Sequence, residues 1–360
     1  MEVTTKTNFV KLRPLILILC MLIAASFAAM SMTEGVTVIG LILLTAMGGF
    51  FTTLLLIVSK TIYIVIPVIV SVFVLQIAGN FPASLTGLVA LIAAFSLSYC
   101  VSRRKPKLTA LFSVSLILGG GFLLIAAILY VMRGGSLSPS ALLKKYQETF
   151  DLLKIQSSVP IHDMINGMSE EMLMLYERAG ITKEMLLNVY LENMELVIDA
   201  LQLSMPGICL FGIQFVAYAE ISAFRLSARL CRVNALLPSL HWSIYPSQTS
   251  CIVYLIVAVL YMVSTFFSSG ESVFPILSSN MWLTLLPMML FCGTNVLTMR
   301  LRNPRFRTGT CVILAAFVLG FFFLRSVAVQ LALFSLSFLG AQTAWTQRVL
   351  EAEKQKNNNQ

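Results

Sequence analysis

Apolar runs of about 17–25 residues, the length a helix needs to cross a bilayer, recur along this chain with short polar connectors between them. They occupy 14–31, 36–58, 61–79, 83–101, 108–132, 203–224, 249–268 and 276–299. A further stretch, 308–344, is apolar apart from Arg325 and a few amides, and has room for two short helices turning near Arg325. That makes ten spans, or eight or nine if this stretch or 61–79 only dips into the membrane. Inside hydrocarbon every backbone polar group must be satisfied internally, so the predicted fold is all-α: a polytopic bundle of 8–10 transmembrane helices. Composition agrees. The chain is 58% hydrophobic and 11% charged, against roughly 45–50% and 25% in a soluble domain.

The connectors sort by charge. With the N-terminus inside, Lys6, Lys11, Arg13, Lys60, "RRKPK" at 103–107, Arg225, Arg229, Arg232, "RLRNPRFR" at 300–307, Arg348, Lys354 and Lys356 all fall on one side, 18 of the 25 basic residues. Six of the others lie in the 133–202 insert and one is Arg325, whereas ten of the 16 acidic residues are in the insert. The positive-inside bias thus predicts a multi-pass protein of a bacterial plasma membrane with both termini cytoplasmic. It also explains the net charge of +9 without nucleic acid, the partner such a charge suggests in a soluble protein. The opening "PLILILCMLIAASFAAM" after Lys6, Lys11 and Arg13 resembles a signal peptide. Its apolar run is long for one, and it reads as an uncleaved first helix. The expected organisation is a membrane part over 1–132, an extracytoplasmic helical cap over 133–202, a second membrane part over 203–345 and a polar tail over 346–360.

Within the insert, Ser138 is an N-cap with Pro139 at the first helical position. Leu142, Leu143, Tyr146, Phe150 and Leu153 follow as one apolar stripe. A second helix starts at Ser169, with Glu170 and Glu171 at its positive end and Gly180 as its stop. A third starts at Thr182 and runs into the sixth span past Pro206.

Catalytic chemistry leaves few marks. His-Glu-x-x-His, Gly-x-Ser-x-Gly and P-loop patterns are absent, and the two histidines, His162 and His241, fall on opposite sides of the membrane. The seven cysteines are scattered singly, and five of them, Cys20, Cys209, Cys251, Cys292 and Cys311, sit in apolar runs as small hydrophobes. No enzyme, metal site or cofactor is expected. Charge inside a span is costly and marks function by default. Glu220 is the one such residue, and it reads either as a snorkelling or Arg225-paired interfacial group or as a coupling site. With Gln214 and Asn295 it forms the candidate polar cavity. Ala24, Ala25, Ala28 and Ala29 make a smooth strip on the first span, fit for close packing in the bundle or for docking a partner helix. Gly48-Gly49 and Gly119-Gly120-Gly121 permit close approach or local unwinding.

The connector "FRLSARLCRVNALLPSLHWSIYPSQTS" reads as an interfacial loop. Arg225, Arg229 and Arg232 face anionic head groups, and Trp242 sits in the interfacial zone. Its order of Pro206, Arg229, Arg232, Leu237-Pro238, Trp242 and Pro246, with four or five spans, a helical insert and further spans around it, resembles the YybS-like family of bacterial membrane proteins. The resemblance covers most of 36–345. It supplies no reaction. It implies kinship with substrate-binding subunits of energy-coupling-factor transporters, hence capture of a small molecule from outside, and it likens the alanine strip to the one by which those subunits dock a second membrane protein. The function expected is therefore a permease-like or substrate-binding membrane component. The alternative is a non-catalytic envelope scaffold that uses its cap and basic loops as contact surfaces.

Overall fold

The computed structural model describes residues 2–33, 37–58, 61–105, 107–231, 248–267, 273–302, 304–324 and 331–342, with no strand among them. Its helices are α1 (Glu2–Ser31), α2 (Val38–Ile57), α3 (Ile62–Val74), α4 (Phe81–Ser102), α5 (Lys107–Met132), α6 (Pro139–Asn166), α7 (Glu170–Arg178), α8 (Lys183–Leu230), α9 (Gln248–Phe267), α10 (Val273–Arg302) and α11 (Pro304–Leu324). A last helix, α12, covers Leu331–Gln342. Among the described residues, seven helices are long and apolar enough to cross a membrane, namely α1, α2, α3 with its π-helical extension to Gly79, α4, α5, α8 and α10. Shorter apolar helices lie within α9 and α11 and make up α12. The described residues of all nine apolar runs are helical almost throughout, and Arg325, where 308–344 was expected to turn, lies outside the described residues.

α2 and α8 form the centre. A Cβ on Gly49 would lie 2.5 Å from the backbone nitrogen of Phe224, so the two backbones touch there and only glycine fits. Thr53 and Ser227 close the contact with a hydroxyl–hydroxyl hydrogen bond, and Ser227 Oγ also donates to the Gly49 carbonyl at 3.2 Å. α1 and α4 pack on α2, while α5 and α10 pack on α8. Ala25, Ala28 and Ala29 are fully buried and Ala24 nearly so, facing the bundle, with Ala29 Cα 3.4 Å from where a Gly79 side chain would begin. The strip is thus spent on internal packing and is not a free docking surface, because its small side chains let α1 lie against α2 and the end of the α3 run. Asn80 ties two helix ends together. Its Oδ1 caps Ala83 N at 2.8 Å, and its Nδ2 donates to the Met32 carbonyl at 2.6 Å.

The cap begins as its sequence signals indicate. Ser138, Ser169 and Thr182 accept from Ala141 N, Met172 N and Met185 N, and Gly180 takes φ +79 where the second helix stops. α6 continues past Pro160 to Asn166 and lies antiparallel to the first half of α8, so the 28-residue α6 projects about 42 Å. Phe150, Ile165, Leu186 and Ile198 are its buried residues. The expected stripe is covered only in part, since Leu142 and Leu143 remain exposed. α8 itself is one helix of 48 residues joining cap and membrane.

Candidate functional site: a lateral groove along α5

Hydrophobic helices in a membrane need not close on every neighbour, and α5 leaves a gap. Three consecutive glycines meet three different surroundings. A Cβ on Gly121 would lie 2.4 Å from Val89 of α4, and one on Gly119 3.3 Å from Ile213 of α8, whereas one on Gly120 would meet nothing within 4 Å. α5 therefore leans on α4 and α8, and its remaining side faces a groove of about 800 Å³ whose floor is α8 and whose far wall is α10. No helix unwinds at these glycines. Leu108, Phe112, Ser115, Gly119 and Leu123 line it along α5. Their i+3/i+4 spacing gives a strip about 22 Å long, against roughly 30 Å of hydrocarbon. Phe112, Leu116 and Leu123 are well over half exposed, so the groove opens sideways where lipid would be.

A few polar groups interrupt the apolar lining. Gln214 Nε2 donates to the Thr284 carbonyl at 2.8 Å, and the Thr284 hydroxyl to the Asn280 carbonyl at 2.8 Å. The buried Ser115 Oγ, on the groove wall, has no hydrogen-bond partner among the described residues. Buried hydroxyls are normally satisfied.

Of the expected polar cavity, Gln214 lines this groove. Glu220 does not, because six residues turn α8 by about 240° and set it on another face. Its carboxyl packs against Gly48 of α2, with Oε1 3.0 Å from where a Cβ would be. The residue is 0% exposed and neither oxygen has a hydrogen-bond partner among the described residues. It neither snorkels nor pairs with Arg225, since Gly48 opens a hole in α2 that the carboxyl fills. Asn295, half-buried on α10 with no partner for Nδ2 among the described residues, also lies off the groove. The three do not converge. Of the interfacial loop, Arg225 and Arg229 close α8, half-buried and exposed, while Arg232 and Trp242 lie outside the described residues. Lys107 holds the basic end of α5 to α8, its ammonium 4.9 Å from the centre of the Tyr218 ring, which in turn stacks on Phe291.

At the cap end of the groove, α8 carries Pro206, which has no N–H for the Gln202 carbonyl. The Tyr146 hydroxyl of α6 donates to that carbonyl instead. Burial, with Cys209 a smaller cause, raises the Tyr146 pKa above its ordinary 10.0, and the phenol remains a donor at neutral pH. One residue further, Gly207 N donates to Asn280 Oδ1 at 2.7 Å and the Leu203 carbonyl accepts from Asn280 Nδ2 at 2.8 Å. In an unbroken helix those two groups would bond each other. Asn280 bridges these two groups one residue past the bond that Pro206 removes, and a Cβ on Gly207 would lie 2.9 Å from its Oδ1. No local pattern marks Tyr146, Ser115 or Asn280 as functional positions. The available signal was Pro206, whose freed carbonyls require donors from neighbouring helices.

Among the described residues no group of three or more His, Cys, Asp or Glu side chains is placed to hold a metal ion. A scan against protein-family models matches none, and searches of curated proteins and of solved structures find no similar chain.

Proposed function

We propose that the protein is a non-catalytic, substrate-binding membrane component of permease-like character, taking a molecule with a long hydrocarbon part sideways from the bilayer into the α5–α8–α10 groove. The observation that carries this is the groove itself: about 800 Å³, within the roughly 300–1,000 Å³ of ligand sites, apolar, and open toward lipid. Gln214, Thr284 and Ser115 supply the few polar contacts that fix a bound molecule's position. In this reading the cap is extracytoplasmic and both termini are cytoplasmic in a bacterial plasma membrane, as the connector charges favour. Kinship with the YybS-like family belongs to the same proposal.

The test is photolabelling of the full chain in phosphatidylcholine nanodiscs with a long-chain alcohol that carries a diazirine. Adducts should concentrate on α5, α8 and α10 and fall several-fold in Gly120→Leu, which adds bulk to a groove-lining position whose Cβ would meet nothing within 4 Å. Labelling spread evenly over lipid-facing positions such as Ile66, Ile69 and Phe73 of α3 would refute the reading.

The scaffold alternative has one observation in its favour. Leu152, Ile155 and Val159 on α6, and Met185, Val189 and Leu196 on α8, form exposed stripes on the backs of the cap hairpin. Their spacing suits a packed partner helix. Loss of a co-purifying membrane protein on replacing Val189 and Leu196 with Gln, with groove labelling intact, would favour it.

A further inference from the structure

The groove does not end in hydrocarbon. Along α5 the lining stripe Phe112, Ser115, Gly119, Leu123 continues at the same i+3/i+4 spacing as Ala126, Tyr130 and Arg133. These last three line a second cavity of about 540 Å³ at the foot of the cap, completed by Leu129, the Gly134-Gly135 turn and Lys145 of α6. The two cavities lie end to end on one face of one helix.

Local structure places two cations there. α5 ends at Met132, and Gly134, at φ +80, turns the chain sharply back. Gly134 N bonds the Val131 carbonyl and Gly135 N the Tyr130 carbonyl, at 2.9 and 3.0 Å, closing the helix end. The first turns of α6 then return Lys145 to the rim. Lys145 shares its charge with Glu148 at 3.3 Å across half-exposed side chains. Arg133 forms no salt bridge among the described residues, although the 133–202 segment has ten carboxylates to six basic groups. From Leu108 to Arg133 the helix rises about 38 Å, so a strip that begins at one edge of a roughly 30 Å hydrocarbon layer brings Arg133 to head-group depth on the cap side. Tyr130, just below it, has the amphipathic character of that zone.

We infer that the ligand is an anionic amphiphile, with a phosphate-type head between Arg133 and Lys145 and its hydrocarbon chain laid along the α5 groove. This rests on the groove reading above and adds its substrate class. Arginine and lysine recognise the charge, the apolar strip takes the chain, and the shared helix face fixes head and tail in one line. Two sources offer the same head chemistry, a membrane lipid and free phosphate. The groove favours the lipid.

Competition against the photoreactive alcohol, in full-length protein in phosphatidylcholine nanodiscs, separates the possibilities. The competitors are a long-chain alkyl phosphate, the alcohol of the same chain, and inorganic phosphate. The alkyl phosphate should compete about 30-fold better than the alcohol, which is about 2 kcal/mol for two cationic contacts at the membrane surface. Arg133→Gln with Lys145→Gln, both exposed positions, should reduce the two to parity while the alcohol competes as before. Equal competition in the unaltered protein, or a preference that survives the double variant, overturns the anionic-head assignment and leaves the groove standing. Labelling unaffected by Gly120→Leu overturns the groove instead. Inorganic phosphate that displaces the alkyl phosphate as effectively as a second amphiphile would make the site one for a free anion and overturn the lipid assignment.

Discussion

Asn280→Ala isolates one device on which the join between cap and bundle depends. The side chain makes two hydrogen bonds across the Pro206 break, 2.7 Å from Gly207 N and 2.8 Å to the Leu203 carbonyl. Interhelical hydrogen bonds in membranes average about 0.6 kcal/mol and reach about 1.7, while an orphaned buried backbone group costs about 1–3 kcal/mol. Asn280 is only partly buried, so the expected cost is about 2 kcal/mol, near a 30-fold shift in the unfolding equilibrium. Urea- or detergent-driven unfolding in bicelles, followed by tryptophan fluorescence, reads it. The decisive comparison is a double-mutant cycle with Pro206→Ala. With an N–H restored at 206 and no ring crowding the preceding turn, Gly207 N can bond the Leu203 carbonyl, and Asn280→Ala should then cost about 0.5 kcal/mol or less. An equal cost in both backgrounds would show that Asn280 stabilises something other than the break.

Gly49→Ala places a methyl 2.5 Å from the backbone nitrogen of Phe224, which cannot rotate away; a loss of at least about 1–3 kcal/mol is expected by the same unfolding assay. Ala24→Leu with Ala28→Leu overpacks buried positions and should lower stability by a similar amount whether or not another protein is present, whereas reduced partner recovery with normal stability would restore a docking role. In a background lacking the native cysteines, a Cys at Gln156 of the cap should react with an impermeant thiol reagent in intact cells and one at Ser102 only after permeabilisation; the reverse pattern would invert the orientation drawn from the connector charges.

Spans and caps were legible because both are local. A twenty-residue apolar run has one viable conformation in lipid, and Ser138, Ser169 and Thr182 cap helices through bonds to residues only three positions away. Rotation about each helix axis was not legible. Leu118 is 1% exposed and Leu123 is 73% exposed on the same helix, yet lipid and core are equally apolar and no polar face separates them. Ala24 to Ala29 posed the same ambiguity, since small side chains serve either internal packing or docking. Glu220 was read against Arg225 because they are close in sequence, but five residues are about 140° apart on a helix, and the carboxyl turns toward Gly48 instead. The groove was the least legible feature, for it depends on which of three adjacent glycines meets a neighbour. Arg133 and Lys145 are two of six basic residues in an acidic insert, and only α5 and the Gly134 turn bring them into line with the stripe below.

A cryo-electron-microscopy map of the full chain in nanodiscs, prepared with the long-chain alkyl phosphate, tests the central claim most directly. The account requires chain-shaped density running along α5 past Gly119 and Gly120, beside Gln214, and ending in a head between Arg133 and Lys145. A map in which α5 has closed onto α10, or in which the groove holds no density while other lipid sites are occupied, would contradict it.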